Sequence, residues 1–309
     1  MAEEKDEIAI IIPHLNQPED LHRCLLAIDR QRRVLGLQVS IYVVDNGSTS
    51  LPTEVCGAFS NVTLLEEKEP GPGPARSRGA RSANARLFAF IDADCVPEEH
   101  WLAAVLQRFK SRSERTSADF YGGQVRILAG GARLSQIEAY ESIYGYRQEM
   151  YVNRDRYAAT CNLITRSDVF DSVGDFLGLG VAEDREWGQR ATKMGYTVGY
   201  AEEIIVYTPA RRCFNELARK WDRHIAHDWN DLGSDFGATT RWIVRAVALS
   251  ISPVIEIPTV IVTDRVSGVQ NRLRAMICLT RIRFYRAWRM LSIIPKSKAL
   301  GLENRWRDG

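Results

Sequence analysis

Three apolar runs in the first hundred residues each end in a polar cluster, and this arrangement constrains the fold more than any other feature. Ile8 to Ile12 ends at Pro13-His14-Leu15-Asn16, Val39 to Val44 at Asp45-Asn46-Gly47-Ser48, and Leu87 to Ile91 at Asp92-Ala93-Asp94. Runs this short and this apolar read as strands buried on both faces of a parallel sheet. Between the first two, Leu21, Leu25, Ile28 and Leu35 recur at helical spacing and Gly36 closes the segment. Strand, helix and strand in that order form a parallel βαβ unit. Ligands of open α/β sheets bind at the carboxyl ends of the strands. One polar strand end is simply how a strand stops, whereas three in one sheet point to a site of nucleotide size. Further strands are expected at Asn61–Leu65, Asp119–Leu128 and Ile204–Tyr207, and a helix over Phe214–Trp229. The Pro/Gly-rich stretch Glu67–Gly79 reads as a loop before a helix to about Arg86, and another helix is expected from about Pro97-Glu98.

The length, 309 residues, suits one large α/β domain with an appendage, and a composition 45% hydrophobic and 26% charged excludes wholesale disorder. A boundary near Thr239 divides a catalytic domain (1–238) from a helical basic extension (239–309). The net charge of +2 hides an asymmetry: residues 265–309 carry 11 Lys and Arg against 2 Asp and Glu, a balance of +9, and the remainder carries −7. That split suggests an anionic partner at one end. Six cysteines without CxxC or CxxH spacing read as reduced thiols, not a zinc site. The reduced cysteines imply a cytoplasmic protein, and the acidic N-terminus lacks the basic region and cleavage site of a secretory signal.

Each cluster admits two readings. Asp92 and Asp94 flank one small residue, and paired hard oxygen ligands suit Mg²⁺ or Mn²⁺; alternatively they solvate a strand end and cap the next helix. The Asp45-Asn46-Gly47-Ser48 turn could receive a base and ribose, or be only a tight Asn-Gly turn. Arg76 and Arg78 could meet a diphosphate or be surface arginines. Glu183 and Asp184 open a helical pattern continued by Trp187, Ala191 and Met194. There they could favour the helix dipole, or one could act as a general base toward an acceptor hydroxyl.

These motifs in order, from about Ile8 to Pro209, resemble the family 2 glycosyltransferases of GT-A fold. IAIIIPHLNQPEDLHRCLLAI is similar to the family's strand, Pro, Asn and helix entry, VVDNGSTS to its VVDDGSTD turn, and PGPARSRGARSANARLFAFIDAD to the stretch ending in DAD. The resemblance implies a Rossmann-like, mostly parallel mixed sheet flanked by helices. It assigns nucleotide-sugar binding to Pro13, His14, Asn16, Asp45, Asn46, Gly47, Arg76, Asp92 and Ala93, with uracil on Asp45. It assigns a metal to Asp94 and Asp92. ATCNLITRSDVFDSVGDF and AEDREWGQRATKMGY are similar to the acceptor side, which makes Asp184 the base and Glu183 its companion. The implied reaction is a single inverting displacement from a UDP-sugar. Three departures stand out: Ser77 for the Asn of ARN, Asn46 for the second Asp of DDGS, and Thr208 where many relatives have a metal-binding His. His224 or His227 could replace that His, or water and diphosphate could suffice. The QxxRW signature of processive synthases is absent, so transfer of one sugar is expected. Two alternatives stay open. A sugar nucleotidyltransferase would want a glycine-rich loop after the first strand, which PHLNQPED lacks. A catalytically silent scaffold would keep the fold without turnover.

Val247 to Val262 is apolar but broken by Pro253, Glu256 and Pro258, too interrupted for a membrane-crossing helix. In 272–291, Leu273, Met276, Ile277, Phe284, Trp288 and Leu291 share one helical face, with arginines around the rest and Ile282 on the polar side. This reads as an interfacial anchor on the inner face of the cell membrane, with a lipid or lipid-linked glycan as acceptor; the alternative is a stripe packed on the catalytic domain. Nucleic acid fits less well, because the aromatics lie inside the apolar stripe.

Overall fold

The computed structural model describes residues 6–110, 118–230, 232 and 236–294. Lys296, Lys298, Arg305 and Arg307 of the basic tail, and the side chain of His227, lie outside the described residues. The chain divides into two compact units, comprising 6–126 with 147–208, and 127–146 with 209–294 of the described residues. The expected boundary at 238/239 differs from this division at 208/209, and residues 127–146 go with the later part of the chain.

The first unit opens as the sequence predicts. β1 (Asp6–His14) leads to α1 (Pro18–Leu35), β2 (Val39–Asp45), the short α2 (Thr53–Gly57) and β3 (Val62–Glu66). Pro18 occupies the first turn of α1, where no amide partner is needed, and Gly36 ends it in left-handed conformation. α3 (Pro72–Ser82), β4 (Ala85–Ile91), β5 (Val96–Pro97), α4 (Trp101–Lys110) and β6 (Phe120–Leu128) follow. The helix expected only after Gly79 thus begins at Pro72. Pro72 and Pro74 sit in its first turn, where a missing N–H costs nothing, so a Pro/Gly run that reads as loop is a helix start. The helix expected near Pro97 begins instead at Trp101, because Val96–Pro97 pairs with the last strand.

After α5 (Gln136–Tyr144) of the second unit come α6 (Gln148–Met150), a π-turn (Tyr151–Asp155), β7 (Asn162–Arg166), α7 (Ser167–Val173), α8 (Glu183–Lys193) and β8 (Val198–Pro209). The strand order is β3-β2-β1-β4-β7-β6-β8-β5. Pairing is parallel among β3, β2, β1 and β4, and antiparallel for β4–β7, β7–β6 and β8–β5. The fold is therefore a mixed α/β sheet flanked by helices. β1 lies between two parallel neighbours, and Ile8, Ile10, Ile11 and Ile12 are fully buried. Gly79 lets α3 close on that sheet: a Cβ there would meet Ile11 at 2.6 Å. Parallel register sets His14 directly beside Asp45 and Ile11 beside Phe90, which brings three strand ends to one edge.

The second unit is helical, with α9 (Phe214–Asn230), α10 (Phe236–Ile255), α11 (Ile257–Val262) and α12 (Val269–Ile293) joining α5. α12 packs through Ala275, Cys278, Leu279 and Ile282 against Tyr140, Ile143, Leu217 and Val260. Ile282, expected on the polar side, is fully buried. The expected apolar stripe faces out instead: Leu273 is 60%, Phe284 56% and Trp288 61% exposed. α12 carries two apolar stripes, and periodicity alone cannot tell which one meets a core. No helix among the described residues is long and apolar enough to cross a membrane.

Candidate functional site

The neighbouring ends of β1 and β2 are tied together by a buried pair. Gln17 N–H donates to His14 Nε2 at 3.2 Å, which leaves Nδ1 as the protonated nitrogen facing Asp45 Oδ1 at 2.8 Å. Asp45 Oδ2 accepts from the amides of Gly47 (3.2 Å) and Ser48 (3.0 Å). Burial would raise the Asp45 pKa, but the bonds from Ser48 and His14 outweigh it and hold the group below the usual carboxylate value. Asn16, left-handed at φ 53°, accepts from Thr49 N at 2.9 Å while its own amide donates to Ser48 Oγ. Half-buried Pro13 and left-handed Gly47 (φ 88°) complete the turn pair.

Asn46 explains its own departure from the Asp of the family motif. Its side-chain nitrogen donates to Glu67 O (2.9 Å) and Glu69 O (2.7 Å), and its oxygen accepts from Gly71 N (2.7 Å). A carboxylate could not donate twice. Asn46 therefore fastens the loop that launches α3. Ser77 has a comparable role: its hydroxyl donates to Gly73 O and accepts from Phe176 N at 3.0 Å, tying α3 to the approach to α8. Of the two arginines singled out in this segment, Arg78 is exposed and Arg76 is buried.

Arg76 joins the two acidic motifs. Its Nη2 donates to Asp92 Oδ1 at 2.5 Å and its Nη1 to Glu183 Oε1 at 3.0 Å, while Nε is buried without a protein partner. Burial disfavours the guanidinium charge, but Asp92 and Glu183 outweigh that and hold its pKa above the usual arginine value. Ala93 is buried and the carboxylates of Asp92 and Asp94 flank it. Asp94 makes no ion pair with Lys or Arg among the described residues, and the Cys95 thiol lies 3.6 Å from its Oδ1. Burial, then the charge of Asp92, pushes its pKa up to about 6. A hard divalent cation would relieve that repulsion, so this pair of oxygen donors fits one. No group of three or more His, Cys, Asp or Glu converges as a ready-made metal site among the described residues. Thr208 is buried in this unit, whereas His224 belongs to the other unit, its ring near Trp221.

α8 begins at Glu183, so Glu183 and Asp184 occupy its first turn, where the helix dipole favours negative charge. Asp184 Oδ1 accepts from Arg185 N at 2.7 Å. Burial, then the adjacent Glu183, pushes the Asp184 pKa up to about 7, the range suited to a general base near neutrality.

Sequence reading missed the wall beside this carboxylate. Tyr151 and Tyr157 stack at 5.1 Å across the π-turn, which ends in left-handed Arg156, and burial and the charge of Asp184 raise both phenols. The available signal was Gly188, where a Cβ would meet Tyr157 at 2.5 Å. Asn162 was also missed: fully buried, it accepts from Trp101 Nε1 and donates to the carbonyls of Gln124 and Ile204, linking β7, β6 and β8 behind Asp92.

Comparison with known proteins accords with this geometry. The profile described as Glycosyl transferase family 2 matches residues 9–169, which include Asp92 and Asp94 and stop short of Glu183. Glycosyltransferase AglE of Haloferax volcanii is 32% identical over 221 residues, 69% of this chain and 70% of that protein. S. aureus TarS in complex with UDP-GlcNAc superposes with TM-score 0.52 at 14% identity, covering 94% of this chain and 92% of that one. The mannosyltransferase PcManGT from Pyrobaculum calidifontis, in complex with GDP-Man and Mn²⁺, also gives 0.52 at 14% identity, covering 97% and 78%. Other curated relatives are matched over as little as 15% and 35% of their own length. From sequence, fold and motif order together, the chain belongs to glycosyl transferase family 2 and is a glycosyltransferase.

Proposed function

We propose that the chain moves one sugar from a nucleotide-sugar, UDP-linked in the first instance, to an acceptor hydroxyl with inversion at the anomeric carbon. The observation that carries this reading is the Asp92–Arg76–Glu183 bridge, which joins the donor motif to the acceptor motif through one guanidinium. In this reading Asp45, through His14 and the Gly47 and Ser48 amides, shapes the base end of the donor site. Arg76 meets the diphosphate. Asp94 and Asp92 would hold Mn²⁺ or Mg²⁺, which when bound offsets charge on the departing diphosphate. The Asp184 carboxylate takes the acceptor proton. The acceptor oxygen then bonds to C1 as the C1–O bond to the diphosphate breaks, and Glu183 steadies the acceptor beside it. The outward stripe of α12 and the arginines around it support work at an anionic membrane surface, with a lipid or lipid-linked glycan as acceptor.

Calorimetry with UDP, GDP and dTDP in Mn²⁺, then in EDTA, tests the donor half. Metal-dependent binding of UDP that is lost in Asp94→Asn is the expected result. If no nucleotide binds in any condition, the catalytically silent scaffold is the better description and the proposal falls.

A further inference from the structure

In the second unit, α10 runs on through Glu256 into α11, with Glu256 N bonded to Ser252 O and Val260 N to Glu256 O, and the exposed face of the pair is almost wholly aliphatic. Val247 (51%), Ile251 (59%), Val254 (67%) and Ile255 (74%) are exposed on α10, and Ile261 (62%) and Val262 (82%) on α11. Between Ala246 and Val262 the only charged residue is Glu256. A surface of this kind in water is costly unless something apolar covers it.

Several of the polar groups that would obstruct burial in lipid are satisfied from within the unit. Pro253 has no N–H to offer the carbonyl of Leu249, and the Ser252 hydroxyl donates to that carbonyl at 2.7 Å instead. Ser250 Oγ folds back in the same way onto Val247 O at 2.7 Å. Glu256, at the break between the helices, accepts from the Tyr144 hydroxyl at 3.0 Å and pairs with Arg283 at 3.4 Å. The C-terminal carbonyls of α11 meet the Arg272 guanidinium, with Val260 O at 2.7 Å, Thr263 O at 3.1 Å and Ile261 O also engaged. Self-satisfaction of backbone and charge is what a segment needs where water is absent. An ordinary solvent-exposed turn has no such need.

Charge decides what the cover is. Residues 209–294 carry 14 Arg and Lys against 7 Asp and Glu, an excess that remains although Arg245 pairs with Asp228 and Arg289 with Asp222 of α9. An exposed aliphatic face on a unit with a net positive charge complements acyl chains beneath anionic headgroups. We infer that the exposed face of α10 and α11 is the part of the chain that enters lipid, lying in the headgroup–acyl boundary of one leaflet of an anionic phospholipid bilayer. The inference rests on the membrane-surface reading above and adds a second element, one whose broken apolar pattern had excluded it as a crossing segment.

A fluorophore sensitive to its surroundings, attached at Ile255→Cys or Ile261→Cys in a Cys213→Ser background, tests it. Cys213 is the exposed cysteine among the described residues. With vesicles of phosphatidylcholine and phosphatidylglycerol, both probes should shift to the blue and be quenched by lipids carrying a nitroxide high on the acyl chain. A probe at Val34→Cys, exposed on the first unit, should not respond. The unlabelled double variant Ile255→Asp, Ile261→Asp should bind these vesicles at least about tenfold more weakly and keep its nucleotide affinity. Protein that floats with the vesicles while both the Ile255 and Ile261 probes stay water-like would overturn the inference and leave the membrane reading intact. An unmodified chain that binds no anionic vesicles would overturn both. Blue-shifted probes without lipid, increasing with protein concentration, would show that a second copy covers the face, and would also overturn the inference.

Discussion

The two units treat apolar surface in opposite ways. In the first, aliphatic and aromatic side chains go inward, as in the β1 isoleucines and the cluster of Phe90, Phe120, Phe170, Phe176 and Trp187, and its carboxylates collect at one sheet edge. In the second, α12 buries one apolar stripe and exposes another, and α10 and α11 expose most of theirs. Apolar residues in the first unit are therefore chiefly stability determinants. Many of those in the second contribute little to the isolated fold and are available to a partner.

The largest test of this contrast lies in the chemistry. Asp184→Asn should reduce kcat by about 10³-fold while nucleotide affinity is kept, measured by transfer assay and calorimetry. Loss of affinity in the same proportion would place Asp184 on the donor instead. As the proposed base, Asp184 must be ionised in the unsubstituted enzyme, so kcat/KM should rise with pH through about 7. The same shift has the opposite sign for stability. Because the folded-state pKa lies above the usual 3.8, the contribution of Asp184 is full below that value and is lost as pH rises through about 7. Asp184→Asn should remove that slope from the melting temperature against pH.

Arg76→Met should cost about 3 kcal/mol in urea unfolding, because Asp92 and Glu183 lose the buried cation between them. Their partial exposure keeps the cost at the low end for a broken buried pair. Asn46→Asp, which restores the more usual family residue, should destabilise by about 1–2 kcal/mol, since two carbonyls of the 67–71 loop lose their donor. A neutral or stabilising result would show that the loop does not depend on this clamp. The smallest effect belongs to the second unit: Leu273→Asn should change unfolding free energy by no more than about 0.5 kcal/mol, against about 3 kcal/mol for Ile11→Ala in β1. Comparable costs would erase the distinction between the units.

Much of the first unit was legible because its signals are local. A β-branched run halted by a polar cluster needs no distant partner to be read, and β1, β2 and β4 end where His14, Asp45 and Asp92 predict. The acidic pair at the start of α8 was legible for the same reason. What escaped depends on non-local contacts. The proline-rich helix start at Pro72 depends on Asn46, about 25 residues earlier, holding its entry. The stacked Tyr151 and Tyr157 require a π-turn that has no periodic signature. The division of the chain was out of reach because α5 is separated from its packing partner α12 by most of the first unit's later strands. In α12 two stripes competed, and the larger, more aromatic one was not the one that packs.

The Arg76 guanidinium has one positive charge to share between Asp92 and Glu183. Whatever alters the field at one carboxylate redistributes that charge toward the other, so the two motifs do not form independent energetic compartments. Removing Asp92 and removing Glu183 should then be non-additive in a thermodynamic cycle, with a coupling term carried by a side chain that neither substitution touches. A residue chosen by sequence reading as a ligand contact would in this sense also be the conductor through which the donor half and the acceptor half of the reaction sense one another.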